Sequence, residues 1–233
     1  LDLLSNYQWD RPIHLLSQGG DINIGLKDYL MYEGFSSKLV PFRNKIGNIN
    51  PGIVSADSLY DKMMNVYCWD ALKRDDYDVD YQNYYTFLGV LPQRELFVTA
   101  ASALLKAGDK ERAIAILDKC QECLPANVWP IESIPLGFTT NDYMVVNMVK
   151  CYYEAGCPEK ATALGGQLGN ELLKSAAFYL DFFDYADGEF DTVCQFMSYL
   201  IEEMENGGDK VVSKKLKDNL LALLHTVSGD YEE

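Results

Sequence analysis

From Arg94 to Pro125 apolar positions recur every three or four residues. Leu96, Phe97, Ala100, Ala101, Leu104 and Leu105 fall on one stripe of a helix. Gly108 tolerates the positive φ at which a helix stops. Asp109 can cap a second helix, whose stripe is Ala113, Ile114, Ile116, Leu117 and Cys120, and Pro125 closes it. The spacing predicts an αα-hairpin over 94–125. A weaker copy over 142–173 follows, with Val145, Met148, Val149, Tyr152 and Tyr153 inward, a turn at Glu154-Ala155-Gly156, and Ala161 answering Ala113. Gly165, Gly166 and Gly169 share one face and permit close helix contact at a cost in helix propensity. Apolar spacing continues from Ala176 to Tyr185, turns at Asp187-Gly188, and resumes over Phe190–Met204 and Val211–Val227. These helices, 176–227, are read as a cap on the end of an array.

Residues 1–52 follow another pattern. Arg11-Pro12 leads into the short strand Ile13–Leu16, Gly25–Glu33 has helical spacing, and Ser37–Phe42 resembles a second strand, with Pro41 marking its end or an edge. This strand–helix–strand unit is too small to bury its own face, so it is expected to pack on the helices. After the turn-rich stretch 44–52, Ser55 or Asp57 caps a helix from Ser58 to about Trp69. The chain thus divides into a unit at 1–52 and a helical domain at 53–233.

The hairpin at 94–125 resembles a tetratricopeptide repeat. Against W-x2-L-G-x2-Y…A-x3-F…P the chain offers Phe97-x2-Ala100-Ala101-x2-Leu104…Ala113-x3-Leu117…Pro125, with Gly108 in the turn. In the second copy Tyr152, Gly156 and Ala161 hold the corresponding places. The fold class is therefore mainly α: tetratricopeptide-like antiparallel hairpins carrying the small N-terminal unit.

Composition narrows the function. A net charge of −15 disfavours nucleic-acid phosphates and anionic lipid. The basic cluster Lys210, Lys214, Lys215 and Lys217 lies on one helix among acids and reads as a solvated face. No apolar run is long enough to span a bilayer. The chain begins Leu1-Asp2, with neither an initiator Met nor a signal sequence, and is expected to be a piece of a longer product. Six cysteines read as free thiols. Cys120-x2-Cys123 has no second pair for zinc and only His14 and His225 to help it, and nothing requires a Cys151–Cys157 bridge. No cofactor or metal is expected.

The segment 76–87 is acidic and aromatic together. Asp76, Asp78 and Asp80 alternate as in a calcium loop, but Tyr81 stands where Gly is needed and Phe87 where a bidentate Glu belongs. Tyr77, Tyr81, Tyr84 and Tyr85 either pack between helices or stack on sugar rings.

RPIHLL, then GLKDYLMYEGFSSKLVPF, then DSLYDKMMNVYCWD and the hairpin ending LDKCQECLP resemble one bacterial family of large polytopic membrane proteins related to protein O-mannosyltransferases. Arg11, Pro12, Gly25, Leu26, Tyr29, Leu30, Glu33, Gly34, Leu39, Val40 and Pro41 carry the resemblance, with Tyr60, Asp61, Met64 and Trp69. His14-Leu15 departs from the family's aromatic strand, and the insertion around Trp129 is long. The resemblance implies the soluble tail of a membrane glycosyltransferase-like parent, on the periplasmic face of the inner membrane, with the catalytic carboxylates elsewhere in that parent.

The expected function is therefore non-catalytic: a protein-interaction or scaffolding domain that holds a polypeptide or braces the membrane part of its own chain. Of the six carboxylate-clamp positions, Val98, Ser102, Tyr143, Asn147, Ser175 and Tyr179, only Asn147 has a suitable side chain. A basic or neutral partner suits the charge. The alternative is a carbohydrate-binding module using 76–87. Catalysis by the fragment lacks a motif: the acids at 76–87 are neighbours on one local stretch, and neither histidine lies in a G-x-S-x-G context.

Overall fold

The computed structural model describes residues 2–16, 25–43, 54–74, 76, 91–132 and 141–229. They fall into two compact units, Leu1–Tyr67 and Cys68–Glu233. The molecule is mainly helical, with a small three-stranded sheet near the N-terminus.

In the first unit a short helix α1 (Asp2–Ser5) precedes the strands β1 (His14–Leu16), β2 (Leu30–Tyr32) and β3 (Ser36–Leu39), with β3 central and both pairings antiparallel. His14 faces Lys38 on one side of β3, and Leu30 faces Leu39 on the other. The expected helix over Gly25–Glu33 is thus corrected. Only Lys27–Tyr29 makes a single 3-10 turn, and Leu30–Tyr32 is extended. The cause is Glu33-Gly34, where Gly34 at φ +98° reverses the chain and the Glu33 amide donates to the Ser36 carbonyl at 2.9 Å. Strand pairing across this turn outweighs the helical spacing of the local sequence. Helix α2 (Ala56–Asp61) runs on through a π-helical turn at Lys62–Val66. Ser55 sits at its N-cap without a side-chain cap bond. The division after Tyr67 counts α2 with the sheet, whereas the sequence groups it with the helices from residue 53 onward.

The second unit contains α3 (Leu91–Lys106), α4 (Lys110–Cys123), α5 (Asn141–Ala155), α6 (Pro158–Asp181), α7 (Phe183–Asn206) and α8 (Val212–Gly229). Three of its turns are built alike. Gly108, Gly156 and Gly208 take φ +82°, +87° and +92°. The amide after each glycine reaches back five residues: Asp109 to Leu104 at 2.9 Å, Cys157 to Tyr152 at 2.9 Å and Asp209 to Met204 at 3.0 Å. This is the Schellman closure of a helix. Each turn joins one member of a pair to the next, giving the hairpins α3–α4, α5–α6 and α7–α8. Asp109 caps the Arg112 amide at 3.0 Å, and Asp209 caps Val211 and Val212 at 2.9 Å each.

Helix α6 packs against α5, α7 and α8, and its small residues make this close. A β-carbon at Gly165 would lie 2.9 Å from Met204 Sδ, one at Gly166 3.3 Å from Val212 Cγ1, and one at Gly169 2.5 Å from Leu216 Cδ1. The expected turn at Asp187-Gly188 is corrected: both residues lie inside α7, where Thr192 Oγ1 donates to the Gly188 carbonyl. The chain reverses just before Asp187, between two breaks in helical geometry, Phe182 (φ −120°, ψ 26°) and the kink at Ala186 (φ −138°, ψ 31°). Burial decides this, because a break at Phe182 lets Phe190, Val193 and Met197 pack inward along α7.

Candidate functional site

Helix α5 lies beside both α3 and α7, so these three first members of the hairpins form one continuous layer. Tyr143, Asn147 and Lys150 share a face of α5, since residues three and four apart are neighbours on a helix. Tyr143 stacks on Tyr199 of α7, with ring centres 5.8 Å apart and planes 9° from parallel. Two turns further along, Lys150 Nζ donates to Glu203 Oε1 at 3.0 Å, which holds the ammonium pKa above its ordinary value. Asn147 lies half-buried between these contacts. On α3, Ser102 Oγ stands 3.6 Å from Cys151 Sγ. The layer therefore presents aromatic and amide groups suited to hydrogen bonding and stacking. Val98 and Tyr179 are buried, so two of the six clamp positions are not presented.

The residues assigned to the repeat are structural. Phe97, Ala101, Ala113, Leu117, Tyr152 and Ala161 have no exposed surface. The Pro125 carbonyl accepts the amides of Val128 and Trp129 just beyond α4. The Tyr152 hydroxyl donates to Asp118 Oδ1 at 2.9 Å and accepts from Gln121 Nε2 at 2.6 Å. Lys160 Nζ reaches the same carboxylate at 2.6 and 2.8 Å. This node ties α4, α5 and α6 together, and burial together with the Asp118 charge drives the Tyr152 pKa up. Tyr77, Tyr81, Tyr84 and Tyr85 lie outside the described residues, as do Asp78, Asp80 and Phe87.

Two arrangements escape sequence reading because each joins distant segments. Trp129 is 1% exposed and its indole Nε1 donates to the Leu72 carbonyl at 2.6 Å. Arg94, 2% exposed, donates to the carbonyls of Trp129 and Pro130 at 2.7 and 2.9 Å. The insertion after α4 therefore anchors itself in the helical unit through a buried ring and a buried guanidinium. The Pro-rich, aperiodic text around Trp129 signals a loop but not this anchor.

In the first unit, the buried Glu33 carboxylate takes Lys62 Nζ at 2.5 Å, and its backbone carbonyl takes the Tyr67 hydroxyl at 3.2 Å. A β-carbon at Gly34 would lie 2.9 Å from that hydroxyl and 3.1 Å from Leu59 Cδ1, so glycine is required twice over. His14 Nδ1 stands 3.2 Å from Ser36 Oγ and 3.9 Å from Glu33 Oε2. Both groups address the same ring nitrogen, whereas a serine–histidine–carboxylate relay needs one at each nitrogen. The cluster fixes the β2–β3 turn and is not arranged for nucleophilic chemistry.

Residues 1–58 match the family model TMEM260-associated domain 2. The match spans the sheet and ends inside α2, and it contains Arg11–Pro41, the stretch that carries most of the family resemblance. No curated protein and no solved structure matches the chain. Among the matched residues, Glu33 is held from outside the match by Lys62 and Tyr67.

All six cysteines are free thiols, Cys151 and Cys157 among them. Burial pushes the Cys120 thiol up to about 12 and the Cys151 thiol up to about 11. Cys157 is raised by donating to Glu159 Oε1 at 2.8 Å. Such thiols stay protonated at neutral pH and make poor nucleophiles. Among the described residues no helix is long and apolar enough to cross a membrane.

Proposed function

We propose that the helical unit is a non-catalytic protein-interaction or scaffolding domain of tetratricopeptide type, forming the periplasmic tail of a membrane glycosyltransferase-like parent. The carrying observation is the threefold recurrence of one turn geometry at Gly108, Gly156 and Gly208, which sets α3, α5 and α7 side by side. Stacked helical pairs of this kind offer extended surfaces for holding a peptide. Here the offered groups are Tyr143, Asn147 and Tyr199, a stacking pair beside an amide. The placement on a membrane parent rests on the resemblance through Arg11–Pro41 and on the match to a TMEM260-associated domain over the same segment.

The net charge of −15 selects a basic or neutral polypeptide. That partner is either a separate acceptor chain or a loop of the parent. The test is capture by the immobilised chain from periplasmic extract, set beside calorimetry with oligosaccharides. A saturable polypeptide partner, weakened by Tyr143→Ala with Asn147→Ala, supports the reading. Tight oligosaccharide binding abolished by Tyr84→Ala with Tyr85→Ala replaces it with a carbohydrate-binding module.

A further inference from the structure

Where α6 gives way to α7, three large aromatic side chains stand in solvent. Phe178 is 57% exposed, Phe182 51% and Tyr185 91%, and the Phe178 and Phe182 rings pack on each other at 5.1 Å. Their neighbours Tyr179 and Phe190 are buried, so the exposed rings are the side of this aromatic run that the core does not use. Phe182 and Ala186 both leave helical backbone geometry, and Phe182 and Tyr185 are displayed on the single turn between α6 and the regular part of α7.

From the ledge onward the charge is of one sign. From Ser175 to Asp209 the chain has no Lys, Arg or His. Asp181, Asp184, Asp187 and Glu189, from the end of α6 to the start of the regular part of α7, are all exposed. Glu132, arriving from the segment after α4, and Glu189 both act on Tyr179 beneath the rings. The nearest cation on α6, Lys174, is engaged with Glu171 at 2.9 Å. A second copy of the chain docking here about a twofold axis would set these carboxylates against their own twins, and anionic lipid would meet the same repulsion.

We infer that the Phe178–Phe182–Tyr185 ledge is a docking surface for a basic amphipathic segment of a polypeptide, with apolar side chains on the rings and Lys or Arg toward the acidic rim. This deepens the polypeptide-binding reading above and rests on it, while placing the contact on another part of the same unit. Lysine and arginine suit the geometry doubly, because their stems cover apolar surface and their heads favour both carboxylates and aromatic faces.

The test titrates the full chain at physiological salt with three labelled peptides of equal length: an amphipathic Leu/Lys helix, a Ser/Lys peptide of the same charge, and a Leu/Glu helix. Saturable binding of the Leu/Lys peptide is expected, at least tenfold weaker (about 1.4 kcal/mol) in Phe178→Ser/Phe182→Ser and weakened again in Asp184→Asn/Asp187→Asn. Hydrogen exchange of the complex should show protection over 178–189. Half or more of each phenylalanine is exposed and both aspartates are exposed, so both variants should stay folded, with a cooperative unfolding transition that is checked before titration. Equal affinity for the Ser/Lys peptide, preference for the Leu/Glu peptide, or unchanged binding by both variants overturns the proposal. So does concentration-dependent dimerisation abolished by Phe178→Ser/Phe182→Ser, which makes a second copy the occupant. Protection on Tyr143 and Asn147 in place of 178–189 overturns this ledge while leaving the polypeptide-binding reading standing.

Discussion

The ring of Tyr153 lies across Gly207, so that a β-carbon on Gly207 would fall inside the van der Waals envelope of the ring. The same tyrosine has its hydroxyl 3.1 Å from Thr162 Oγ1, and Thr162 donates to Asp209 Oδ2 at 2.8 Å. One side chain thereby links α5, α6 and the turn before α8, with glycine as the condition for its position. Gly207→Ala is expected to destabilise the chain by about 1–3 kcal/mol, because the ring must move against these bonds. Gly188 provides the opposite case. It is helical with open space around its α-carbon, so Gly188→Ala should stabilise by about 0.5–1 kcal/mol through helix propensity. Urea denaturation of the two variants checks the contrast in sign.

The Trp129 anchor makes a graded prediction. Trp129→Ala removes a fully buried ring and should cost about 3–5 kcal/mol. Trp129→Phe keeps much of the packing but leaves the Leu72 carbonyl without the indole donor, costing about 1–2 kcal/mol. Thermal unfolding followed by far-UV circular dichroism should rank the parent above Trp129→Phe and Trp129→Phe above Trp129→Ala.

Much of the helical unit is readable because its signals are local. Gly108, Asp109 and the stripe from Leu96 to Cys120 specify a hairpin within some thirty residues, and each appears in its expected role. The close-contact face of Gly165, Gly166 and Gly169 is equally local in origin. What the chain hides is whatever depends on pairing across distance. Leu30–Tyr32 has helical spacing, yet it joins Ser36–Leu39 once Gly34 turns the chain. Asp187-Gly188 looks like a turn, yet the backbone breaks just before it, at Phe182 and Ala186, and both residues open the regular part of α7. Gly208-Asp209 repeats Gly108-Asp109 in geometry and in capping, but the adjacent Asn206-Gly207 masks the likeness in the sequence. At the candidate site Asn147 is the position that the expected repeat register singles out. Its aromatic neighbour pair is not legible in the sequence, because Tyr199 comes from a helix fifty residues away in sequence.

The capping carboxylate of Asp209 sets a pH signature. Burial pushes its pKa up, but bonds from Thr162 and from the amides of Val211, Val212 and Ser213 outweigh this and hold it below the ordinary value. A carboxylate depressed in the folded state contributes stability that is complete above its unfolded pKa, about 3.9. That contribution is lost as pH falls through the lower folded value. The stability difference between the parent and Asp209→Ala, about 1 kcal/mol at pH 7, should therefore shrink below about pH 4. A gap that stays constant from pH 7 down to pH 3 would remove the charged cap from the account.

Thiol labelling separates the cysteines. Cys68 is exposed, whereas Cys120, Cys123, Cys151 and Cys157 are buried with raised pKa values. Under native conditions at pH 8, mass spectrometry should find Cys68 modified well ahead of those four. In denaturant all six should react at similar rates.

The claim that the layer of α3, α5 and α7 holds a polypeptide is tested most directly by photo-cross-linking from Asn147. A benzoylphenylalanine placed there, in the chain incubated with the captured partner, should give a covalent adduct whose linked fragment is a peptide. The same group at the exposed Lys110, near the start of α4, should give none. Peptide adducts formed equally from both positions, or none from Asn147 while an oligosaccharide binds saturably, would contradict the account.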